Sequence, residues 1–288
     1  MASASRVRVL CSFDEMPEWF RRESNQWILH GYRPISGSAR ASLCSWSYIH
    51  NESVNIYSHL IPAVCFLFGE CYIQQYLASR YSRVTGADLI TFSIFMLAAA
   101  TCLSLSTTYH TLVNHSQHME HLCLRLDMLG VVIFILGDLV LGIYIVFWCE
   151  PLPRNIYWSI IGLFGGLTIF MTLHPKYQGS KYRVFRALMF VATGLSGLAP
   201  LIHGLKLFGI SQMMRKAFPH TLAKAGCLLS GTSFHMIRFP ESWYSGKFDL
   251  WGSHSIFHIL VVCAAVVQLI GYLDAFGYAQ ANLTCSSL

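Results

Sequence analysis

The sequence predicts an all-α membrane protein: a seven-transmembrane helix bundle with its N-terminus cytosolic and its C-terminus outside. Three observations predict it: composition, the spacing of apolar windows, and the distribution of Lys and Arg. Of 288 residues, 54% are hydrophobic and only 12% charged, with a mean hydropathy of +0.48. A soluble domain carries about 25% charged residues, so this chain belongs in a bilayer. The net charge of +6 needs no nucleic acid to explain it, because the basic residues gather at helix ends and in the N-terminal tail. That placement suits a protein held against an anionic leaflet.

Residues 1–54 read as a cytosolic tail, polar and mixed in charge, with no apolar stretch of the signal-peptide kind. Within it, Phe13-Asp-Glu-Met-Pro-Glu-Trp-Phe20 can start an interfacial segment with its aromatic rings at headgroup level. The bundle is expected over 55–275, with a short outer tail at 276–288. Windows of roughly 20 apolar residues, enough to cross a hydrocarbon core of about 30 Å, lie near 57–78, 87–110, 124–148, 155–174, 185–205, 219–237 and 252–274. Breakers and charges separate them: Ser79-Arg-Tyr-Ser-Arg83, Asn114-His-Ser-Gln-His118, Glu150-Pro-Leu-Pro-Arg154, His174-Pro-Lys-Tyr177 and Phe239-Pro-Glu241. Pro200 interrupts the fifth window, and Lys224 lies in the sixth, close enough to one end to snorkel. With the N-terminus inside, thirteen of the twenty Lys and Arg fall on the inner side, as the positive-inside rule favours. Glycines at 162, 165, 166, 194 and 197 are read as points of close helix approach. The ten cysteines are scattered with no CxxC pair, and most lie inside apolar runs; they read as structural or incidental rather than as disulfides or thiolates.

Four residues stand out against this apolar background: His110, Asp127, His254 and His258. All lie at the ends of apolar runs, where an ionisable side chain is expensive to keep without a function. His254 and His258 are spaced i, i+4 and share one helix face, so both imidazoles can point at one ion. A third His from another helix completes three nitrogens with an open position, the outline of a reactive zinc (Zn2+) centre. Seven spans place all four residues at one depth, near the inner face; a span count wrong by one would separate His110 from the pair. His254-Ser-Ile-Phe-His258 lacks the Glu of the HExxH zinc proteases, so a base has to come from another helix, and Asp127 is the candidate. Ser106, one turn before His110, can stabilise a developing oxyanion or hydrogen-bond a neighbouring group.

Further polar residues have plainer readings. Glu52, Asn55 and His59 are expected to lock the tail to the first span. Asp138, in mid-span, has to face the bundle; it can line a cavity, pair with Lys224 or a buried His, or equally make a purely structural hydrogen bond. The run His115, His118, His121 could bind a second metal but reads first as solvated loop histidines.

The ordered set Gly31-Tyr-Arg-Pro34, Glu52-x-x-Asn55-x-x-x-His59, Ser106-x-x-x-His110, Asp127 and His254-x-x-x-His258 resembles the progestin and adipoQ receptor family. That family includes adiponectin receptors, fungal zinc-homeostasis proteins and bacterial haemolysin III-like proteins, with the fungal branch the nearest. The match covers roughly residues 27–275. The resemblance implies a seven-helix protein with a cytosolic N-terminus and a zinc ion held near the inner leaflet by His110, His254 and His258. It also implies a ceramide-hydrolysing activity in which Asp127 holds or activates the attacking water, with Ser106 beside it. Alkaline ceramidases share the Ser-x3-His, Asp and His-x3-His pattern, but the Gly-Tyr-Arg-Pro and Glu-x-x-Asn segments favour the receptor family.

The leading expectation is therefore a zinc-dependent hydrolase-receptor acting on a membrane lipid amide, ceramide or a relative, in the plasma membrane or an endomembrane. The alternative is a non-enzymatic receptor or regulator of zinc and lipid metabolism in which zinc is structural. A pore has little support, since the spans lack rings of like charge. No protein ligand can be named from the sequence.

Overall fold

The computed structural model describes residues 10–22, 25–177 and 182–285. The expectations placed on 1–9, 181 and 286–288, including the charges of Arg6, Arg8 and Lys181, lie outside the described residues. Among the described residues the chain is helical, with no strand beyond one isolated antiparallel bridge between Cys11 and Tyr32. A short helix α1 (Ala39–Cys44) leads into the long helices α2 (Ser53–Arg80), α3 (Gly86–Leu112), α4 (Gln117–Val146) and α5 (Pro151–Leu173). They are followed by α6 (Arg183–Leu195), α7 (Leu198–Met213), α8 (Phe218–Ile237) and α9 (Ser253–Asn282).

Six helical segments are long and apolar enough to cross a membrane: α2, α3, α4, α5, the bent α6–α7 pair, and α9. The apolar window at 219–237 does form a helix, α8, but His220, Thr221, Lys224, Ser230, Thr232, Ser233 and His235 dilute its apolar character, and it is not one of the six.

Local chemistry sets the helix ends. Thr85 and Asp88 form a reciprocal capping box at the start of α3, and the Ser116 hydroxyl accepts from the Met119 amide at the start of α4. Pro151 opens α5, where its missing N–H costs nothing. Because α3 and α4 are joined by a short turn, the C-terminal end of α3 and the N-terminal end of α4 share one end of the bundle. The start of α9 belongs there too.

Helices α3 and α4 approach each other closely. A Cβ on Gly137 would lie 2.5 Å from the Ala98 Cβ, and one on Gly130 would lie 3.0 Å from the Cys102 Cα. Of the glycines expected to allow close approach, Gly165 and Gly197 do meet a neighbour, the side chains of Leu136 and Leu139. Gly162, Gly166 and Gly194 face open space.

The two ends of the bundle differ in character. At the end away from the α3–α4 turn, Leu77, Phe92, Phe95, Leu141 and Phe276 form a buried core, with Phe92 on Phe276 at 5.5 Å and Phe95 on Tyr272 at 5.5 Å. Just beyond it a disulfide joins Cys149, after α4, to Cys285, after α9. This corrects the reading of every cysteine as unpaired: both partners lie in segments flanking the helices, and folding brings together residues 136 apart in sequence. Asp138 resolves in favour of an ion pair, with Lys224 Nζ 2.6 Å from its carboxylate and the Tyr272 hydroxyl donating to it at 2.9 Å.

Candidate metal centre

The other end is polar inside. His110 lies in the last turn of α3, while His254 and His258 lie on adjacent turns at the start of α9. His110 and His258 are 3% and 2% exposed, so their ring nitrogens need partners inside the protein. The Nε2 atoms converge: His254 Nε2 is 3.3 Å from His110 Nε2 and 3.1 Å from His258 Nε2. The three rings form a group able to hold one metal ion, and no other group of three converges in this way among the described residues. The run His115, His118, His121 forms none.

The outward Nδ1 atoms explain this arrangement. His110 Nδ1 lies 2.8 Å from Glu52 Oε2, and His258 Nδ1 lies 3.3 Å from the Asn55 carbonyl oxygen. A carboxylate and a carbonyl only accept, so both Nδ1 atoms carry a proton, and in the neutral rings both Nε2 atoms are bare. Bare nitrogens facing one another at such distances repel unless something positive lies between them. A tetrahedral zinc ion, with Zn–N of 2.0–2.1 Å, would hold its ligand nitrogens roughly 3.3–3.4 Å apart. The donor set and its spacing fit such an ion, and the Nδ1 partners are of the kind that fix metal-binding histidines.

Glu52, Asn55 and His59 thus do more than tie the tail to α2. Asn55 Nδ2 donates to Glu52 Oε2 at 2.7 Å, and Ser255 Oγ donates to Asn55 Oδ1 at 2.7 Å. His59 stacks on His258 with ring centroids 3.7 Å apart and planes 6° from parallel. The start of α2 therefore holds histidines of the cluster from both α3 and α9.

The Gly-Tyr-Arg-Pro segment holds His110 from behind. Gly31 adopts φ +84°, a left-handed conformation that favours glycine, and a Cβ there would sit 3.2 Å from the Asn51 amide. This turn buries Tyr32 and aims Arg33 at the end of α3. The Arg33 guanidinium donates to the carbonyls of His110 at 2.6 Å and Thr111 at 2.9 Å, and to Ser45 Oγ at 2.8 Å. It satisfies carbonyls that a helix C-terminus leaves open and complements the negative end of the helix dipole.

Asp127 in α4 is buried and lines a cavity of about 320 Å3 together with His110 and His254. Its carboxylate has the Ser106 hydroxyl as a hydrogen-bonding neighbour. All five residues singled out by the sequence thus come together at one end of the bundle. Phe20, Ile28 and Tyr32 of the N-terminal segment roof the cavity, and Val113, Leu124 and Met128 are among the apolar residues that line it. Arg22, from the same segment, pairs with the fully buried Glu120 at 2.6 Å. Sequence reasoning missed His235 of α8, whose Nδ1 is 3.4 Å from His254 Nδ1. It carries the same signal of a histidine ending an apolar helix, but without an i+4 partner.

Fold and site together define a multi-pass helical membrane protein with a largely buried three-histidine cluster at one end of its bundle. Comparison with known proteins is consistent with a membrane protein of this class. A family model described as haemolysin-III related matches residues 47–269. The chain is 36% identical over 279 residues to the ADIPOR-like receptor IZH2 of Saccharomyces cerevisiae, covering 96% of this chain and 87% of that protein. It is 34% identical over 280 residues to the adiponectin receptor protein of Drosophila melanogaster, covering 96% of this chain but 62% of the longer relative. The ADIPOR-like receptor IZH1 of Eremothecium gossypii is 31% identical over 260 residues, 89% of this chain and 81% of that one. The chain belongs to the haemolysin-III related family of progestin and adipoQ receptors, and the two fungal relatives support its place in the fungal branch.

Proposed function

We propose that this protein is a zinc-dependent amide hydrolase of the bilayer, acting on ceramide or a related lipid amide. The observation that carries the reading is the convergence of three histidine nitrogens beside Asp127 and Ser106, at a cavity lined by both polar and apolar residues. His110, His254 and His258 would hold the ion. Three imidazoles with an open position suit zinc, which supplies a Lewis acid for the amide carbonyl and brings a water ligand to a pKa near 7. Asp127 takes the proton of the attacking water and returns it to the leaving amine, and Ser106 orients the carboxylate. Val113, Leu124 and Met128 receive the first carbons of the acyl chain.

In this reading the bundle has seven crossings, with α8 supplying the additional one: its 20 residues span about 30 Å. The N-terminus and the histidine cluster then face the cytosol. The disulfide between Cys149 and Cys285 supports this orientation, because disulfides persist in oxidising compartments and this one caps the opposite end. Cys44, exposed at the cluster end, is a free thiol.

The test is fatty-acid release from ceramide by purified protein in lipid nanodiscs, wild type beside Asp127→Ala, with zinc assayed in the same samples. Loss of a general base predicts a fall of at least about 100-fold with zinc retained. A second reading, a receptor or regulator with structural zinc, draws on the roof that the Arg22–Glu120 pair holds over the cavity. No turnover at full zinc occupancy would overturn the hydrolase in favour of that receptor.

A further inference from the structure

Each ring of the cluster has to present a bare Nε2 to hold an ion, and for two of the three an acceptor at Nδ1, Glu52 or the Asn55 carbonyl, favours the neutral tautomer that does so. His254 is different. Its Nδ1 faces another imidazole, that of His235 in α8, and two ring nitrogens 3.4 Å apart leave the donor undetermined. Arg238 determines it. One guanidinium nitrogen of Arg238 lies 3.4 Å from the same His235 Nδ1. A guanidinium can only donate, so His235 Nδ1 holds a lone pair and its proton is on Nε2. His254 Nδ1 is then the donor, and His254 Nε2 is bare toward His110 and His258.

We propose that His235, itself oriented by Arg238, is a positioning residue that sets the tautomer and ring orientation of His254. Two further observations agree. Arg238 is the C-cap of α8 with φ 54°, one of two described non-glycine residues with positive φ. A left-handed conformation is unfavourable for a residue that carries a Cβ, and this turn places the Arg238 guanidinium back over the ring three residues earlier. The His235 ring also packs against His254 at 4.9 Å and Phe257 at 5.7 Å, so its position is set by contact as well as by hydrogen bonding. In this arrangement α8 contributes no ligand, yet its end is bound to the metal centre through one hydrogen bond.

The inference rests on the reading that an ion lies between the three Nε2 atoms, and its test separates the two. His235→Asn keeps an acceptor oxygen near the position of Nδ1, while His235→Phe keeps a ring and loses the acceptor. Each protein is purified in nanodiscs, and the half-time of zinc loss to a chelator is measured, with visible spectra of the cobalt-substituted forms. Outer partners of metal-binding histidines are worth about 10–100-fold in affinity. His235→Phe is expected to lose zinc at least about 10-fold faster and to shift the cobalt bands, while His235→Asn stays near wild type. Equal half-times and spectra for His235→Phe and wild type would overturn the proposal. So would equal losses in both variants, which would mean that packing alone matters. Should His235→Phe fail to fold, Arg238→Leu leaves both rings in place; faster zinc loss is expected there, and an unchanged half-time would overturn the relay. Failure of the wild type to bind zinc or cobalt removes the metal centre itself and the inference with it.

Discussion

A buried imidazole is tolerated while it stays neutral, and at His50 that condition ties stability to pH. The residue precedes α2, is 2% exposed, and its Nδ1 accepts the Glu52 amide at 3.1 Å. Burial, aided by the charge of Arg33 and opposed by that of Glu52, pushes its pKa down to about 4 from 6.5. Above pH 6.5 the ring is neutral in both folded and unfolded chains and exerts no pH dependence. As the pH falls below 6.5 the unfolded chain takes up the proton first, so stability is lost progressively until about pH 4. The melting temperature of wild type should therefore fall more steeply between pH 7 and pH 5 than that of His50→Gln; parallel slopes would contradict the argument. His110, His254 and His258 are common to both proteins, so any acid release of an ion they hold cancels in the comparison. Among single residues, His110, Asp127, His254 and His258 were legible because a titratable group ending an apolar run is costly, and because the i, i+4 spacing of the last two is a recognisable ligand pattern. The roles of Glu52 and Asn55 were not. They lie together at the start of α2 but serve rings on α3 and α9, and no spacing along the chain encodes that meeting.

Among the helices, six of the seven apolar windows of the sequence lie in or largely in one helix and the window at 185–205 is divided between α6 and α7, since 20 apolar residues in lipid have no way but helix to satisfy their backbone. Which helices touch was less legible. The α3–α4 seam at Gly130 and Gly137 depends on what faces each glycine, and periodicity does not report that. The Lys224–Asp138 pair was legible as one of several options, because a mid-span carboxylate needs a partner and cations are few. The Cys149–Cys285 bond was not, since it depends on two helix ends meeting. That bond and the free Cys44 make orientation measurable. With intact cells, a membrane-impermeant maleimide should label Cys149 and Cys285 only after an impermeant reductant, and Cys44 only after permeabilisation. Labelling of Cys44 from outside would reverse the orientation.

The molecule as a whole is divided along its length. Aromatic and aliphatic packing fills one end, closed by a disulfide, while buried imidazoles, a carboxylate and the N-terminal segment fill the other. The first end holds the helices together; the second uses their rigidity to bring His110 from α3 against His254 and His258 from α9. Everything proposed for function depends on that second end holding an ion. The most direct measurement is the metal content of the purified chain by elemental analysis, for wild type and for His258→Ala, with folding monitored by circular dichroism. About one zinc per chain is expected for wild type, falling toward zero in the variant. A folded wild-type protein without zinc, even after incubation with it, would contradict the account.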